Sequence, residues 1–176
     1  MTQIALQPAV SPRLTNLCAW FCLLVAVSLP LLVGFTWMDA RRPSYWAGDI
    51  GAPPADHLRP LGATLAIIPP LLLGWGLLLA NRCLRRFGRG EFFTSATVAD
   101  LRGFARWTFY GAVAGLLAPT VIGLVLTILN TAGPKELTFR IGSQEIVALL
   151  MSGVFWIMAG VLARAAEVAD ENRQFV

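Results

Sequence analysis

The sequence predicts an all-α integral membrane protein, a four-helix bundle with both termini in the cytoplasm. Three observations carry that prediction. Four long stretches hold no charged side chain: Leu14 to Met38, Pro60 to Asn81, Trp107 to Pro134 and Ile146 to Ala163. A helix needs about 20 apolar residues to cross roughly 30 Å of hydrocarbon, and each stretch supplies that number or nearly so. The composition agrees, at 56% hydrophobic and 14% charged with a mean hydropathy of +0.65. Soluble domains carry roughly 25% charged residues, so this chain has too few polar side chains to cover a fold in water. The third observation is where the basic residues fall. The N-terminal tail, the middle loop and the C-terminus hold nine of them, and the other two loops hold five. Basic residues are retained on the cytoplasmic side, which places both ends there. The net charge of +4 is nearly all arginine, with Lys135 the only lysine, a bias that matches a GC-rich bacterial genome.

The chain reads as one membrane domain over residues 1–176. Span one covers about 14–38 and contains Pro30. Its apolar run from Leu17 to Phe35 is longer than the ~7–15 residues of a secretory signal, and Met38-Asp39-Ala40 is a poor cleavage site, so the segment reads as an uncleaved anchor. The first outside loop, 39–60, is broken by Gly48, Gly51, Pro43, Pro53 and Pro54. Trp37, Tyr45 and Trp46 are expected at headgroup level. Span two covers about 61–81, and its central Pro69-Pro70 pair is expected to break or bend the helix. The cytoplasmic segment 82–106 opens with the turn Phe87-Gly88-Arg89-Gly90-Glu91. Thr94 or Ser95 fits a helix N-cap, with Asp100 near the positive helix end and a helix running on into span three. Span three covers about 107–129, with Gly111, Gly115, Pro119 and Gly123. Small residues at that spacing permit close helix approach, within the bundle or to a second copy. The second outside loop, 130–145, contains the alternating Leu137-Thr138-Phe139-Arg140-Ile141, compatible with one short strand. Span four covers about 146–163 and is expected to continue as helix through Ala163 to Asp170.

Chemistry-bearing residues are few. Cys18 and Cys22 share a helix face, and Cys83 ends span two at the same predicted depth. They read as cysteines packed as small apolar residues, with three thiols at one level binding a soft metal such as copper(I) as the alternative. His57, the lone histidine, lies near Asp49 and Asp56 and reads as an exposed loop residue with a metal or acid–base role as the alternative. No nucleophile sits beside a base, so the chain is not read as an enzyme and no cofactor is implied. No carboxylate lies inside a span, which counts against ion-coupled transport. The arginines of the middle loop fit topology and attraction to anionic headgroups better than nucleotide binding, since Gly88-x-Gly90 is too short for a fingerprint. Trp75 and Trp156 fall deep in their spans and either fill the core or line a cavity opened by Pro30, Pro69, Pro70 and Pro119.

Two segments carry a family resemblance. Phe87-Gly88-Arg89-Gly90-Glu91-Phe92-Phe93-Thr94, followed by Leu101-Arg102-Gly103-Phe104, is similar to the entry to the third helix in a bacterial family of four-span membrane proteins, domain of unknown function number twenty-nine seventy-five. Ala169-Asp170-Glu171-Asn172 resembles that family's acidic ending, although Gln174-Phe175 stand where leucine and threonine are more usual. The resemblance implies a bacterial inner-membrane setting and, as a partner, a small helix-turn-helix regulator. Direct nucleic-acid binding by this chain is not expected.

The leading expectation is a non-enzymatic inner-membrane protein that acts through protein or lipid contacts of its cytoplasmic loop and tail. Arg85, Arg86, Arg89, Glu167, Asp170 and Glu171 are the groups available for such contacts, unless loop and tail pair with each other. A transporter-like or hydrophobic-ligand-binding bundle is the first alternative, and thiol-based metal handling through Cys18, Cys22 and Cys83 is the second.

Overall fold

A computed structural model of the chain describes residues 11–38, 56–91, 94–129 and 143–174. Among these, every regular element is helical. Helix α1 spans Pro12–Met38, α2 Arg59–Phe87, α3 Ser95–Leu129 and α4 Ser143–Gln174, with a single 3-10 turn at Asp56–Leu58 before α2. Their lengths run from 27 to 35 residues. At 1.5 Å per residue that is about 40–52 Å, more than the roughly 30 Å of a hydrocarbon core. All four are long and apolar enough to cross a membrane. The possible strand at Leu137–Ile141 and the belt residues Tyr45 and Trp46 lie outside the described residues.

Packing follows chain order: α1 lies on α2, α2 on α3, and α3 on α4. The α1–α2 pair is antiparallel, as its contacts show in sequence. Trp37 meets Gly62, and Ala26 meets Gly74. The buried Asn81 donates from Nδ2 to the Ala19 carbonyl. Thr15 meets Gly88 at the far end. The α2–α3 pair keeps an antiparallel register as well, through Leu73 on Gly111, Gly76 on Trp107 and Thr108, and Leu79 on Gly103. Glycine at these crossings removes the side chain that would hold two backbones apart. A Cβ on Gly111 would lie 3.2 Å from the Leu73 backbone nitrogen, whereas one on Gly115 would meet nothing within 4 Å. Of that expected small-residue pair, only Gly111 makes a close helix approach.

Pro69 and Pro70 do not break α2, which runs through both. Pro30 and Pro119 likewise sit inside continuous helices. A proline lacks the N–H that the carbonyl four residues earlier would accept. For Pro30 that carbonyl is Ala26, and a Cβ on Gly74 would lie 3.0 Å from its oxygen. The carbonyl released by the proline thus faces the one residue type on α2 that leaves room for it.

The apolar core sits at the end of the bundle where α1 finishes and α2 begins. Val33, Trp37, Leu58, Ala66, Ile122 and Leu126 form it, drawn from α1, the 3-10 turn, α2 and α3. Trp37 is 2% exposed. At the end of α1 where the sequence expects a headgroup-level tryptophan, its ring packs inward, because Gly62 vacates the space it fills. Helix α4 touches α3 through a narrower seam, in which the buried Ser152, Ala159 and Ala166 recur every seven residues. Phe155 meets Phe104 edge-on at 5.1 Å beside it. The outward faces are greasy. On α1, Leu17, Phe21, Leu24, Leu31 and Phe35 are all more than 60% exposed. Each such side chain left in water forgoes about 1.5–3 kcal/mol of burial, so a surface of this kind calls for lipid as its solvent. The fold is that of a small multi-pass membrane protein.

Candidate functional site at the arginine-rich end

The antiparallel order gathers the start of α1, the α2–α3 turn and the last part of α4 at one end. The turn is built by local chemistry. Gly90 takes φ +79°, a left-handed conformation that glycine adopts without a Cβ clash. The Gly90 N–H then donates to the Phe87 carbonyl at 3.0 Å and the Glu91 N–H to the Arg86 carbonyl at 3.1 Å. These two bonds are the Schellman closure that satisfies the last carbonyls of a helix. Thr94 caps α3, its Oγ1 accepting from the Thr97 N–H at 3.3 Å. The Thr97 hydroxyl in turn donates to the Glu91 carbonyl at 2.9 Å, tying the turn to the helix it precedes. Of the two expected cap residues, Thr94 fills the role. Much of the expected segment 82–106 is therefore helix, and only residues 88–94 join α2 to α3.

The arginines divide between two tasks. Arg86 Nε lies 3.2 Å from Asp100 Oδ2, joining α2 to α3 in a partly buried ion pair. That pair removes Arg86 from the groups free to meet a partner. Arg82, Arg85 and Arg89 are exposed, as are Arg13, Arg102, Arg106 and Arg164. Positions 82 and 85 fall on one face of α2 by their spacing, and Arg89 follows in the turn. The Arg85 guanidinium stands over the Trp20 ring of α1, 6.0 Å from its centroid, within reach of a cation–π attraction. On α4, Glu167 and Glu171 are exposed, and Asp170 belongs to the same helix. Among the described residues no carboxylate lies within ion-pair distance of Arg85 or Arg89.

The other candidates are scattered. Cys18 is exposed on α1 and Cys22 half-buried, while Cys83 is buried. The Cys83 thiol points toward α3, 4.0 Å from the Thr97 carbonyl oxygen. The three share a depth but not a direction, and among the described residues no three His, Cys, Asp or Glu side chains converge. His57 is exposed in the 3-10 turn. Trp75 and Trp156 are 57% and 54% exposed, so both face outward instead of filling the core. Trp75 belongs to an aromatic group on the α2–α3 flank, 6.3 Å from Trp107, which meets Tyr110 at 5.9 Å. Pro30, Pro69, Pro70 and Pro119 are each partly buried.

Two participants escaped sequence reasoning. Trp20 sits nearly two turns inside the first span, and only the α1–α2 register reveals that it meets Arg85. Asn81 closes an uncharged stretch, and its role as an inter-helix donor follows from burial at 6% exposure. A polar side chain ending an apolar run was the available signal for it. Comparison with protein-family models, with curated proteins and with solved structures found no match.

Proposed function

We propose that this chain is a bacterial inner-membrane protein whose arginine-rich end and both termini face the cytoplasm, and that it acts through contacts made there rather than through catalysis. The observation that carries the reading is the exposed arginine set at the α2–α3 end of the bundle, Arg82, Arg85 and Arg89, which have no carboxylate within ion-pair distance among the described residues. Retention of basic residues in the cytoplasm supports the sidedness. The exposed Glu167 and Glu171 supply an acidic counterpart on α4, so the end offers both signs of charge to a protein. The resemblance of the α2–α3 turn and the tail to the four-span family supports the same setting. It also names the partner to seek, a small helix-turn-helix regulator.

Two measurements test this. In a variant with Cys18, Cys22 and Cys83 replaced by Ser, Arg89→Cys is expected to react with an impermeant maleimide in inverted vesicles and not in right-side-out ones. The opposite pattern overturns the sidedness. Crosslinking and recovery from native membranes is then compared for wild type and Arg85→Gln/Arg89→Gln. Equal partner recovery by both defeats the contact role.

A further inference from the structure

The geometry points to a binding site for one anionic phospholipid headgroup in the α1–α2 groove at the arginine-rich end, with Arg85 and Arg82 on its phosphate and Trp20 beneath. This deepens the contact role proposed above. It rests on the chain lying in a bilayer and not on which side that end faces.

The site is built rather than diffuse. Two contacts fix α1 against α2 beside it, the buried Asn81 on the Ala19 carbonyl and Gly88 on Thr15. The Arg85–Trp20 juxtaposition is therefore set by helix register and not by two wandering side chains. Arg86, the neighbour turned toward α3, already has Asp100. The arginines on the α1 side have no carboxylate among the described residues. A guanidinium carries five N–H donors in a planar fork. An indole face draws the cation without accepting that fork, so the in-plane donors stay open to a phosphate, which they match two at a time.

Position selects a lipid over a soluble anion. Trp20 lies where the charged end of the bundle gives way to the uncharged spans, the depth at which tryptophan and headgroups meet. It is 63% exposed, and Leu17, Phe21 and Leu24 on the same helix are exposed to the same degree or nearly so. Phe21 and Leu24, further along α1 from the charged end, extend this exposed apolar surface toward the hydrocarbon, where an acyl chain can lie. A phosphate with a chain attached fills both parts, and the positive charge selects an anionic headgroup over a zwitterionic one.

The test uses the full chain in nanodiscs of phosphatidylcholine with a minor fraction of phosphatidylglycerol, and native mass spectrometry of the lipid retained on release. Wild type is expected to retain phosphatidylglycerol selectively. Arg85→Gln is expected to lower that retention about five-fold. Trp20→Leu, which alters neither charge nor apolar character, is expected to lower it about three-fold. Arg106→Gln, an exposed arginine of α3, is expected to lower it less than about two-fold. Equal losses for Arg85→Gln and Arg106→Gln mean diffuse attraction and overturn the site, as does full retention by Trp20→Leu. If Arg85→Gln fails to give helical, monodisperse protein, Arg85→Lys takes its place. It keeps the charge and loses the fork, so a drop of about three-fold is expected and unchanged retention overturns the proposal. Millimolar inorganic phosphate is expected to leave the lipid bound, and its displacement by phosphate alone likewise rejects a lipid site. Nanodiscs expose both faces, so an inverted topology in the maleimide assay would sink the cytoplasmic reading while leaving this result standing.

Discussion

Replacing Gly62 by alanine should destabilise the bundle through one side chain, Trp37. A Cβ at position 62 would lie 2.5 Å from Cζ3 and 2.6 Å from Cη2 of the Trp37 ring, about 1 Å inside ordinary carbon contact. The ring has little room to retreat, because it is 2% exposed and wedged among Val33, Leu58, Ala66, Ile122 and Leu126. Overpacking of this kind costs about 1–3 kcal/mol. With the ring held on all sides the cost falls in the upper part of that range, about 2–3 kcal/mol, and alanine returns about 1 kcal/mol in helix propensity, which leaves a net loss of about 1–2 kcal/mol. Trp37→Phe removes the two ring atoms in collision, at a cost of about 1–2 kcal/mol for the space it opens. In the double variant the added methyl enters that space, so the two losses should fall short of adding by about 1–2 kcal/mol. Reversible unfolding in mixed micelles, followed by far-UV circular dichroism as the denaturing detergent fraction rises, measures all four corners of the cycle. Additive losses, or a neutral Gly62→Ala, would refute the claim that ring and glycine are fitted to each other.

Three further outcomes follow by the same assay. Gly90→Ala forces a Cβ into φ +79° and should cost about 1–2 kcal/mol, with Gly90→Asn costing less because asparagine tolerates that region. Thr94→Ala removes the cap of α3 and should cost about 1 kcal/mol, with Thr94→Ser retaining most of it. Asn81→Ala deletes the donor to the Ala19 carbonyl, and hydrogen bonds between membrane helices are worth about 0.6 kcal/mol with a maximum near 1.7, so a loss inside that range is expected and none at all would mean the contact is idle.

The four helices were legible because an apolar run long enough to cross hydrocarbon has few alternatives in sequence. The turn was legible too, since Gly90 and Thr94 announce a helix stop and a helix start in local code. Which face of each helix meets which neighbour was not legible. In lipid both faces of a helix are apolar, so the periodicity that marks the buried side of a soluble helix is largely absent. Trp75 and Trp156 show the consequence: their depth in sequence suggested the core or a cavity, and packing turned both outward. The glycines carried the missing information, but Gly62, Gly74 and Gly76 in α2 do not differ in sequence from Gly115, Gly153 and Gly160, which meet nothing within 4 Å. Of the candidate site, the arginines were legible as a charge count. Their division into Arg86, bound to Asp100, and Arg85, set over Trp20, required the register between helices.

Because each helix leans chiefly on the one synthesised just before it, the polypeptide holds little in reserve for a distant mate beyond the α3 side chains that close the core around Trp37. The first hairpin can close while the ribosome is still delivering the third segment, and each later arrival finds its seat already formed. Contacts of that local kind are the quickest to make. The last segment, joined along a thin seam of serine and alanine, is then the one whose detachment would disturb the others least.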